Sequence, residues 1–283
     1  MRFELQVSPV DLDLTLGCGQ TFRWRLNPDG SWSGILGDQL IRLKQNRSRI
    51  TGETTPGGRH VRESVLELLR AQDDIKRIQR TLRRDPVLAL GMKQMKGLRI
   101  VKLDEWECLI SYVLATYANI PRIMKMVDAL AVTYGSRIAR EAYSFPDRDQ
   151  LSKATPKELT RLGLGYRANY ITGLCDLVDE QRLHSLSKTS YEGLRKELIE
   201  LPGVGEKVAD CVSLFGFGKL ESFPIDIWME RALARLYGQK GPYKALRAFA
   251  ARRFGEYAGY AQEYLYHNER MRARKQECVF SEQ

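Results

Sequence analysis

The segment at residues 201–211 constrains the fold more strongly than any other part of the chain, because two glycines enclose a single apolar residue. A helical pattern of leucines precedes it, and helical spacing resumes after it. Gly203 and Gly205 allow the chain to turn sharply around Val204, which is expected to anchor the turn in the core. The sequence therefore predicts a helix-hairpin-helix over about residues 191–216.

This hairpin also has the chemistry of a phosphate-binding site. Its amides would lie exposed beside the positive end of the following helix, an arrangement that attracts anions. An ordinary helix–helix turn also uses glycines, so the hairpin alone leaves both interpretations open. Lys207 follows Gly205 by two positions, where the helix dipole disfavours the protonated amine. A neutral amine is a nucleophile, and we therefore predict that Lys207 is catalytic.

A second candidate group lies nineteen residues beyond Lys207. Asp226 stands in the loop 223–229, directly before a new apolar, helix-forming run. Aspartate at such a position is commonly a structural N-cap. In the functional interpretation, the helix dipole keeps the Asp226 carboxylate ionised beside a developing positive charge. The presence of Lys207 upstream favours this second interpretation.

The net charge favours a partner that is rich in phosphate. Lysine and arginine outnumber aspartate and glutamate by 45 to 35, which gives a formal charge of +10. By itself this balance is equally compatible with simple solubility. The basic C-terminal tail is expected to be a solvated helix end. Its charged residues are Arg270, Arg272, Arg274 and Lys275.

The pattern changes along the chain from alternating to helical. Short apolar and aromatic runs at 21–25, 32–36 and 40–43 are separated by turn residues, which predicts an antiparallel meander. Helical spacing begins near Val65 and dominates afterwards. We predict an α+β fold: a twisted antiparallel sheet domain over residues 1–98, packed on a mostly helical body over residues 99–283.

Several classes of site and location are disfavoured. The five cysteines, at 18, 108, 175, 211 and 278, occur singly, which indicates reduced thiols rather than a zinc or iron–sulfur site. No metal site and no cofactor is expected for catalysis. The sequence also has no signal-like start and no membrane-length apolar run, so we expect an intracellular, soluble protein of the cytoplasm, nucleoid or nucleus that is not secreted.

These motifs together resemble a known family, the 8-oxoguanine DNA glycosylase/lyases of the helix-hairpin-helix superfamily with a Gly/Pro-rich loop and catalytic aspartate. The resemblance runs from about Val7 to about Asn268. The segments that carry it, in the order typical of the family, are residues 19–24, 32–34, 163–167 and 201–211.

The resemblance implies a base excision repair enzyme acting on double-stranded DNA that contains oxidised guanine. Lys207 would attack C1′ of a flipped-out nucleotide, displace the base and form a Schiff base, after which β-elimination nicks the strand. Asp226 would stabilise the cationic sugar. The enzyme is expected to act as a monomer, and a monovalent ion is expected to bridge hairpin carbonyls to a phosphate.

The resemblance also assigns a pocket for the damaged base. The backbone carbonyl of Gly19 would accept the N7 hydrogen that distinguishes the oxidised purine, and Gln262 would contact the base edge. Cys211 and Tyr266 would sandwich the base, although such residues are also common in ordinary cores. Phe22 belongs to the same pocket.

On the opposite strand, the resemblance makes Tyr166 the wedge that enters the gap left by the flipped base. Arg122 and Arg167 would hydrogen-bond the estranged cytosine. The chain departs from the family at two positions. Tyr117 replaces an asparagine that fills the vacated stack, with Asn119 nearby, and Trp228 replaces a histidine near a phosphate.

Three alternatives differ in the residues they require. A monofunctional glycosylase for another damaged base would use activated water and would not need Lys207. A non-catalytic damaged-DNA-binding protein would keep the hairpin without requiring both Lys207 and Asp226. A metallonuclease is disfavoured, because the histidines at 60, 184 and 267 are far apart and no carboxylate cluster accompanies them.

Overall fold

The amino-terminal part forms one antiparallel sheet. The computed structural model describes residues 1–7, 9–58 and 60–281, with side chains up to residue 272. The five strands lie in the order β1-β5-β4-β3-β2, so the predicted sheet is confirmed. The strands are β1 (Arg2–Gln6), β2 (Arg25–Leu26), β3 (Trp32–Leu36), β4 (Gln39–Asn46) and β5 (Arg49–Thr55).

Alternating burial explains why these segments form strands. In β5, buried and exposed residues alternate along the whole strand, as expected of a sheet with one face against the core. On the buried side the ring of Trp24 lies directly over Gly34 in β3. A Cβ at Gly34 would come within 2.2 Å of that ring, so the sheet requires glycine there.

The predicted strand over residues 21–25 is wrong for most of its length, since only Arg25 and Leu26 pair with β3. The preceding residues turn into the helical body instead. Arg23 is buried, donates to the carbonyl of Tyr143 and lies 3.6 Å from the Glu107 carboxylate. The Arg23 side chain thus ties this segment to Tyr143 and Glu107, outside the five-stranded sheet.

Helices form the remainder, apart from a small hairpin of β6 (Arg137–Ala139) and β7 (Ala142–Tyr143). Short 3₁₀ turns occupy Met92–Gln94 and Gly255–Tyr257, and a π-helical turn occupies Val212–Gly216. The α-helices are α1 (Leu12–Leu16), α2 (Val61–Leu68), α3 (Ile75–Leu82), α4 (Pro86–Gly91), α5 (Glu105–Leu114), α6 (Ile120–Tyr134), α7 (Arg148–Leu151), α8 (Pro156–Arg161), α9 (Arg167–Leu177), α10 (Glu180–Ser187), α11 (Tyr191–Ile199), α12 (Glu206–Cys211), α13 (Ile227–Tyr237), α14 (Tyr243–Phe254) and α15 (Ala258–Ser281).

The core of the helical body is built around α5, which is apolar on almost every side and contacts α6, α9 and α12. Helix α15 packs against α13 and also against α4, while α2 packs against β1. Helices before residue 98 therefore contact both the sheet and the helical body, and the predicted domain boundary at that residue stays a prediction. Among the described helices, none combines the length and apolarity that a membrane crossing requires.

Candidate active site

The hairpin between α11 and α12 places Lys207 at the edge of a cleft. Gly203 has φ +76°, and a Cβ there would lie 2.7 Å from the ring of Tyr170, so the turn requires glycine. Val204 is buried, as expected from the sequence. Lys207 lies in the first turn of α12, and its Nζ is 5.2 Å from the centre of the Tyr112 ring. This distance is typical of a cation–π contact and holds the amine over an aromatic wall.

Asp226 is the N-cap of α13, as the sequence predicts. Its Oδ1 accepts hydrogen bonds from the backbone amides of Trp228, at 3.0 Å, and Met229, at 2.9 Å. The preceding Pro224 and Ile225 are buried. The carboxylate is therefore fixed at the positive end of a helix, where negative charge is stabilised.

Two adjoining cavities meet between the hairpin, the α13 loop and α15. The inner cavity has a volume of about 60 Å³ and the outer groove about 920 Å³. The residues that line both are Gly19, Tyr112, Lys207, Asp226 and Tyr266. The residues that line the inner cavity but not the outer groove are Cys18, Gln20, Cys211, Phe215, Pro224, Gln262 and Glu263. The two catalytic candidates thus stand at the junction of a deep pocket and a wide groove.

The floor of the inner cavity is polar. Gln262 is buried, and its Oε1 lacks a hydrogen-bond partner among the described residues. Glu263 is 3% exposed and accepts a hydrogen bond from the Cys18 thiol at 3.6 Å. Burial raises the pKa of Glu263 to about 8, against the opposing effect of the Cys18 hydrogen bond. An unsatisfied amide oxygen and a carboxyl group are therefore available to a polar ligand.

The Cys211 sulfur, which lines the inner cavity, is neutral near pH 7. Burial raises the pKa of the Cys211 thiol to about 12, although the Lys207 ammonium acts in the opposite direction. Cys211 is 3% exposed. It therefore offers a polarisable, uncharged surface rather than a reactive thiolate.

Gly19 is held firmly at the junction of the two cavities. It has φ +100°, and a Cβ there would approach Ile120 Cδ1 to 2.9 Å. The next residue is fixed from the helical side, because Tyr112 Oη donates to the Gln20 carbonyl at 3.1 Å. The side-chain amide of Gln20 donates a hydrogen bond to the Arg99 carbonyl at 2.9 Å. These bonds restrain the residue that follows Gly19, and Gly19 itself lines both cavities.

The predicted nucleic-acid contacts divide into two groups. Tyr117 is 94% exposed, and Asn119 caps α6 by accepting from the Arg122 amide at 3.0 Å. Phe22, a residue predicted for the base pocket, lines only the outer groove. The predicted nucleic-acid contacts that line only the outer groove are Tyr117, Asn119, Gly203, Gly205 and Trp228. The ring of Trp228 lies 5.4 Å from the Arg231 guanidinium. Arg122, Tyr166 and Arg167 are outside the groove lining.

Tyr166 and Arg167 reach the groove only indirectly. Tyr166 is 50% exposed, and its hydroxyl donates to the Thr116 carbonyl at 3.2 Å. Arg167 is 1% exposed and donates to the same carbonyl through Nε at 3.1 Å. Its guanidinium also lies 4.5 Å from the Tyr166 ring. Contact between Arg167 and a base therefore requires the guanidinium to leave Thr116, which lines the outer groove.

Tyr112, Glu263 and Arg270 also line this site, and none of them was predicted to do so from the sequence. The expectation that Arg270 is solvated is wrong, since Arg270 is half-buried and donates to the Cys18 carbonyl. The helical spacing could have revealed Arg270. Gln262, Tyr266 and Arg270 follow one another at intervals of four residues, so they lie on one face of α15. The Arg272 guanidinium pairs with Glu269, while the side chains of Arg274 and Lys275 lie outside the described residues.

Among the described residues, no three or more histidine, cysteine, aspartate or glutamate side chains are grouped so that they could hold a metal ion. Cysteines 18, 108, 175 and 211 are buried and unpaired with one another, while the Cys278 side chain lies outside the described residues. Burial raises the pKa of the Cys175 thiol to about 11. Lys207 and Asp226 supply an amine and a carboxylate to the cleft.

Comparison with known proteins gives consistent similarity over the sheet and the helical body. The family model of the 8-oxoguanine DNA glycosylase N-terminal domain matches residues 2–109. The N-glycosylase/DNA lyase OGG1 of Arabidopsis thaliana is 31% identical, with 93% of this chain and 78% of that protein covered. MBOgg1, in complex with a low-affinity DNA ligand, has a TM-score of 0.91 at 29% identity, covering 96% of both chains. The 8-oxoguanine glycosylase/lyase of Clostridium acetobutylicum, bound to duplex DNA with cytosine opposite 8-oxoguanine, has a TM-score of 0.89 at 26% identity, covering 96% of this chain and 98% of that one.

Proposed function

This chain belongs to the 8-oxoguanine DNA glycosylase/lyase family. We propose which of its residues bind the DNA, excise the base and nick the strand. It is a bifunctional enzyme of base excision repair that excises 8-oxoguanine from duplex DNA and then nicks the strand. The observation that carries the assignment is that Lys207 and Asp226 line the same junction between a deep pocket and a wide groove.

Lys207 is the nucleophile. The Lys207 ammonium first loses a proton to water, and the neutral Nζ then attacks C1′ of the damaged nucleotide. The glycosidic bond breaks, and the base leaves with the bonding electron pair and takes up the proton that the attacking nitrogen releases. The resulting aminal opens to a Schiff base, and loss of a C2′ proton then expels the 3′ phosphate by β-elimination. Asp226 stabilises the positive charge that develops on the sugar, since its carboxylate is fixed in position before the reaction begins.

The inner cavity receives the base. The base enters from the outer groove, because the two cavities share the lining residues Gly19, Lys207 and Tyr266. The Gly19 carbonyl accepts the N7 hydrogen, the unpaired Oε1 of Gln262 accepts from the base edge, and Cys211 and Tyr266 enclose the ring. An unpaired buried acceptor favours a ligand that supplies the missing donor.

The outer groove receives the DNA. Backbone amides at Gly203 and Gly205 bind a phosphate, because the space beside Gly205 is open. The hairpin carbonyls would hold a monovalent cation, which would supply positive charge near that phosphate. Trp228 packs near the backbone, while Tyr117 fills the gap left by the flipped base by stacking. Tyr166, Arg122 and Arg167 serve the estranged cytosine, and Arg167 leaves the Thr116 carbonyl on binding. The enzyme acts as a monomer at genomic DNA inside the cell.

Borohydride trapping tests this assignment. Duplexes carrying 8-oxoguanine opposite each of the four bases are incubated with the wild-type protein, alongside an undamaged duplex. We expect a covalent adduct only with the damaged duplexes. Lys207→Gln should bind the lesion but form no adduct, whereas the control Lys196→Gln, on the exposed face of α11, should behave as wild type.

The outcomes separate the candidate functions. An adduct that persists in Lys207→Gln would show that another amine is the nucleophile. Excision without any adduct would indicate a monofunctional glycosylase, and binding without excision would indicate a non-catalytic damage-binding protein. The efficiency opposite each base also measures whether Tyr117 preserves the preference for cytosine.

A further inference from the structure

Arg270 makes two contacts at the mouth of the inner cavity that the proposed mechanism does not use. Its Nη1 donates a hydrogen bond to the carbonyl of Cys18, the residue directly before Gly19. Its guanidinium carbon lies 5.5 Å from the centre of the Tyr266 ring, within the range of a cation–π contact. The side chain therefore touches Tyr266, one of the two residues expected to enclose the base, and the residue directly before Gly19.

The contact with Cys18 fixes more than one atom. The carbonyl of Cys18 and the amide of Gly19 belong to one planar peptide group, so a bond to that carbonyl restrains the start of the Gly19 backbone. Glu263 also restrains Cys18, because the Glu263 carboxyl group accepts a hydrogen bond from the Cys18 thiol. Two residues on one face of α15 thus restrain the loop, with Tyr266 between them along the helix.

We propose that Arg270 is a positioning residue that sets the distance between the Gly19 carbonyl and the Tyr266 ring and thereby determines discrimination of the oxidised purine from guanine. The inference rests on the proposed function of the pocket. Two purines that differ at N7 and C8 are distinguished by a hydrogen bond whose strength falls steeply with geometry. A loop displaced by loss of the Arg270 contacts would therefore lose lesion affinity much more than affinity for undamaged DNA.

The test measures binding in the Lys207→Gln background, where the lesion is retained. Dissociation constants are determined by fluorescence anisotropy for matched duplexes containing 8-oxoguanine or guanine opposite cytosine. Arg270→Met should lower the ratio of the two affinities by about tenfold, the effect of one charged hydrogen bond. Arg270→Lys, which keeps a donor but loses the planar contact with Tyr266, should recover part of the ratio.

A matched control removes the same charge from the same helix. Arg272 pairs with Glu269 and does not touch the Gly19 loop, so Arg272→Met should leave the ratio unchanged. If Arg270→Met weakens binding to both duplexes equally, Arg270 is only a phosphate contact and the proposal fails. If Arg270→Met binds the lesion more tightly, Arg270 blocks the pocket mouth and the proposal also fails.

Failure of the pocket assignment itself gives a different result, because Lys207→Gln alone would then show no preference for the damaged duplex. Thermal unfolding shows whether Arg270→Met is folded. If it is not, Arg270→Lys carries the test, since it removes the planar contact with Tyr266 while leaving a donor near the Cys18 carbonyl. It should reduce the ratio, and an unchanged ratio would overturn the proposal.

Discussion

The hydroxyl of Tyr243 donates a hydrogen bond of 2.5 Å to the carboxylate of Asp210, which is completely buried in the helix that carries Lys207. The same hydroxyl oxygen accepts from the backbone amide of Ile225 at 3.3 Å. Ile225 directly precedes Asp226. A single side chain on α14 therefore connects the helix of the proposed nucleophile to the loop of the proposed catalytic carboxylate.

Removal of this hydroxyl should weaken both the fold and the reaction. Tyr243→Phe leaves the Ile225 amide without its partner and removes one of the hydrogen bonds that oppose the burial-raised pKa of Asp210. We expect a loss of about 1–3 kcal/mol in the free energy of unfolding, and slower single-turnover base release from displacement of Asp226. Urea denaturation and a rapid-quench assay measure the two effects.

Tyr237→Phe is the matched control for that experiment, because the Tyr237 hydroxyl donates to Asp85, away from the residues that line the cleft. It should cost comparable stability without slowing base release. Equal slowing in both variants would show that the effect on rate comes from general destabilisation, and Tyr243 would then have no particular role in placing Asp226.

The sequence predicts best the features that depend on neighbouring residues. The turn at Gly203 and the N-cap at Asp226 need only residues within a few positions, and both occur where the pattern indicates. Contacts between distant segments are not encoded locally. The bond between Tyr243 and Asp210 joins residues 33 positions apart, and that between Arg270 and Cys18 joins residues 252 apart.

The same limit explains the errors. Strand β1 pairs with β5 rather than with its neighbour in sequence. Neither strand was included in the predicted meander, which rested on the turn residues between the apolar runs. The segment before β2 has an alternating pattern, yet Arg23 enters the helical body to meet Glu107. Tertiary hydrogen bonds override local strand preference there.

Asp226→Asn should separate the capping role of this residue from its catalytic role. Asparagine is as good an N-cap as aspartate, so the midpoint of thermal unfolding should change little. Base excision should nevertheless slow by about a hundredfold or more, because the negative charge beside the sugar is lost. Single-turnover kinetics on an 8-oxoguanine duplex measure the excision rate.

The control for Asp226→Asn is Asp179→Asn, another N-cap, which accepts from the Arg182 amide at the start of α10. We expect wild-type kinetics from this variant. An Asp226→Asn enzyme that excises at the wild-type rate would contradict the proposed stabilisation of the cationic sugar.

Glu263 should make stability depend on pH. Burial raises its pKa to about 8 from an ordinary value of 4.5, so between these values the folded protein holds a proton that the unfolded chain has lost. The free energy of unfolding should therefore fall as pH rises through this window and level off above about pH 8. Glu107, whose pKa burial raises to about 7, contributes in the same direction.

Glu263→Gln should flatten this dependence, because glutamine stays neutral throughout. Thermal midpoints between about pH 5 and pH 9 test the prediction. In the control Glu158→Gln, the pKa of the replaced group is lowered by hydrogen bonds from Thr155, so the profile should shift without a change in slope. Parallel profiles for wild type and Glu263→Gln would show that Glu263 is ionised in the folded protein.

The two hairpin glycines should respond differently to alanine. A Cβ at Gly203 meets both a positive φ and the Tyr170 ring, so Gly203→Ala should cost about 1–3 kcal/mol of stability. At Gly205 the backbone is extended, and no atom lies within 4 Å of the added Cβ. Gly205→Ala should therefore fold with a change of less than about 0.5 kcal/mol.

In the outer groove, however, the added methyl group at Gly205 stands where a phosphate must approach the backbone amides. We expect Gly205→Ala to bind duplex DNA roughly tenfold more weakly, with a shallower dependence of affinity on salt because a phosphate contact is lost. Anisotropy titrations at several salt concentrations measure both quantities. Wild-type affinity in a fully folded Gly205→Ala protein would mean that the hairpin turns the chain without holding the DNA.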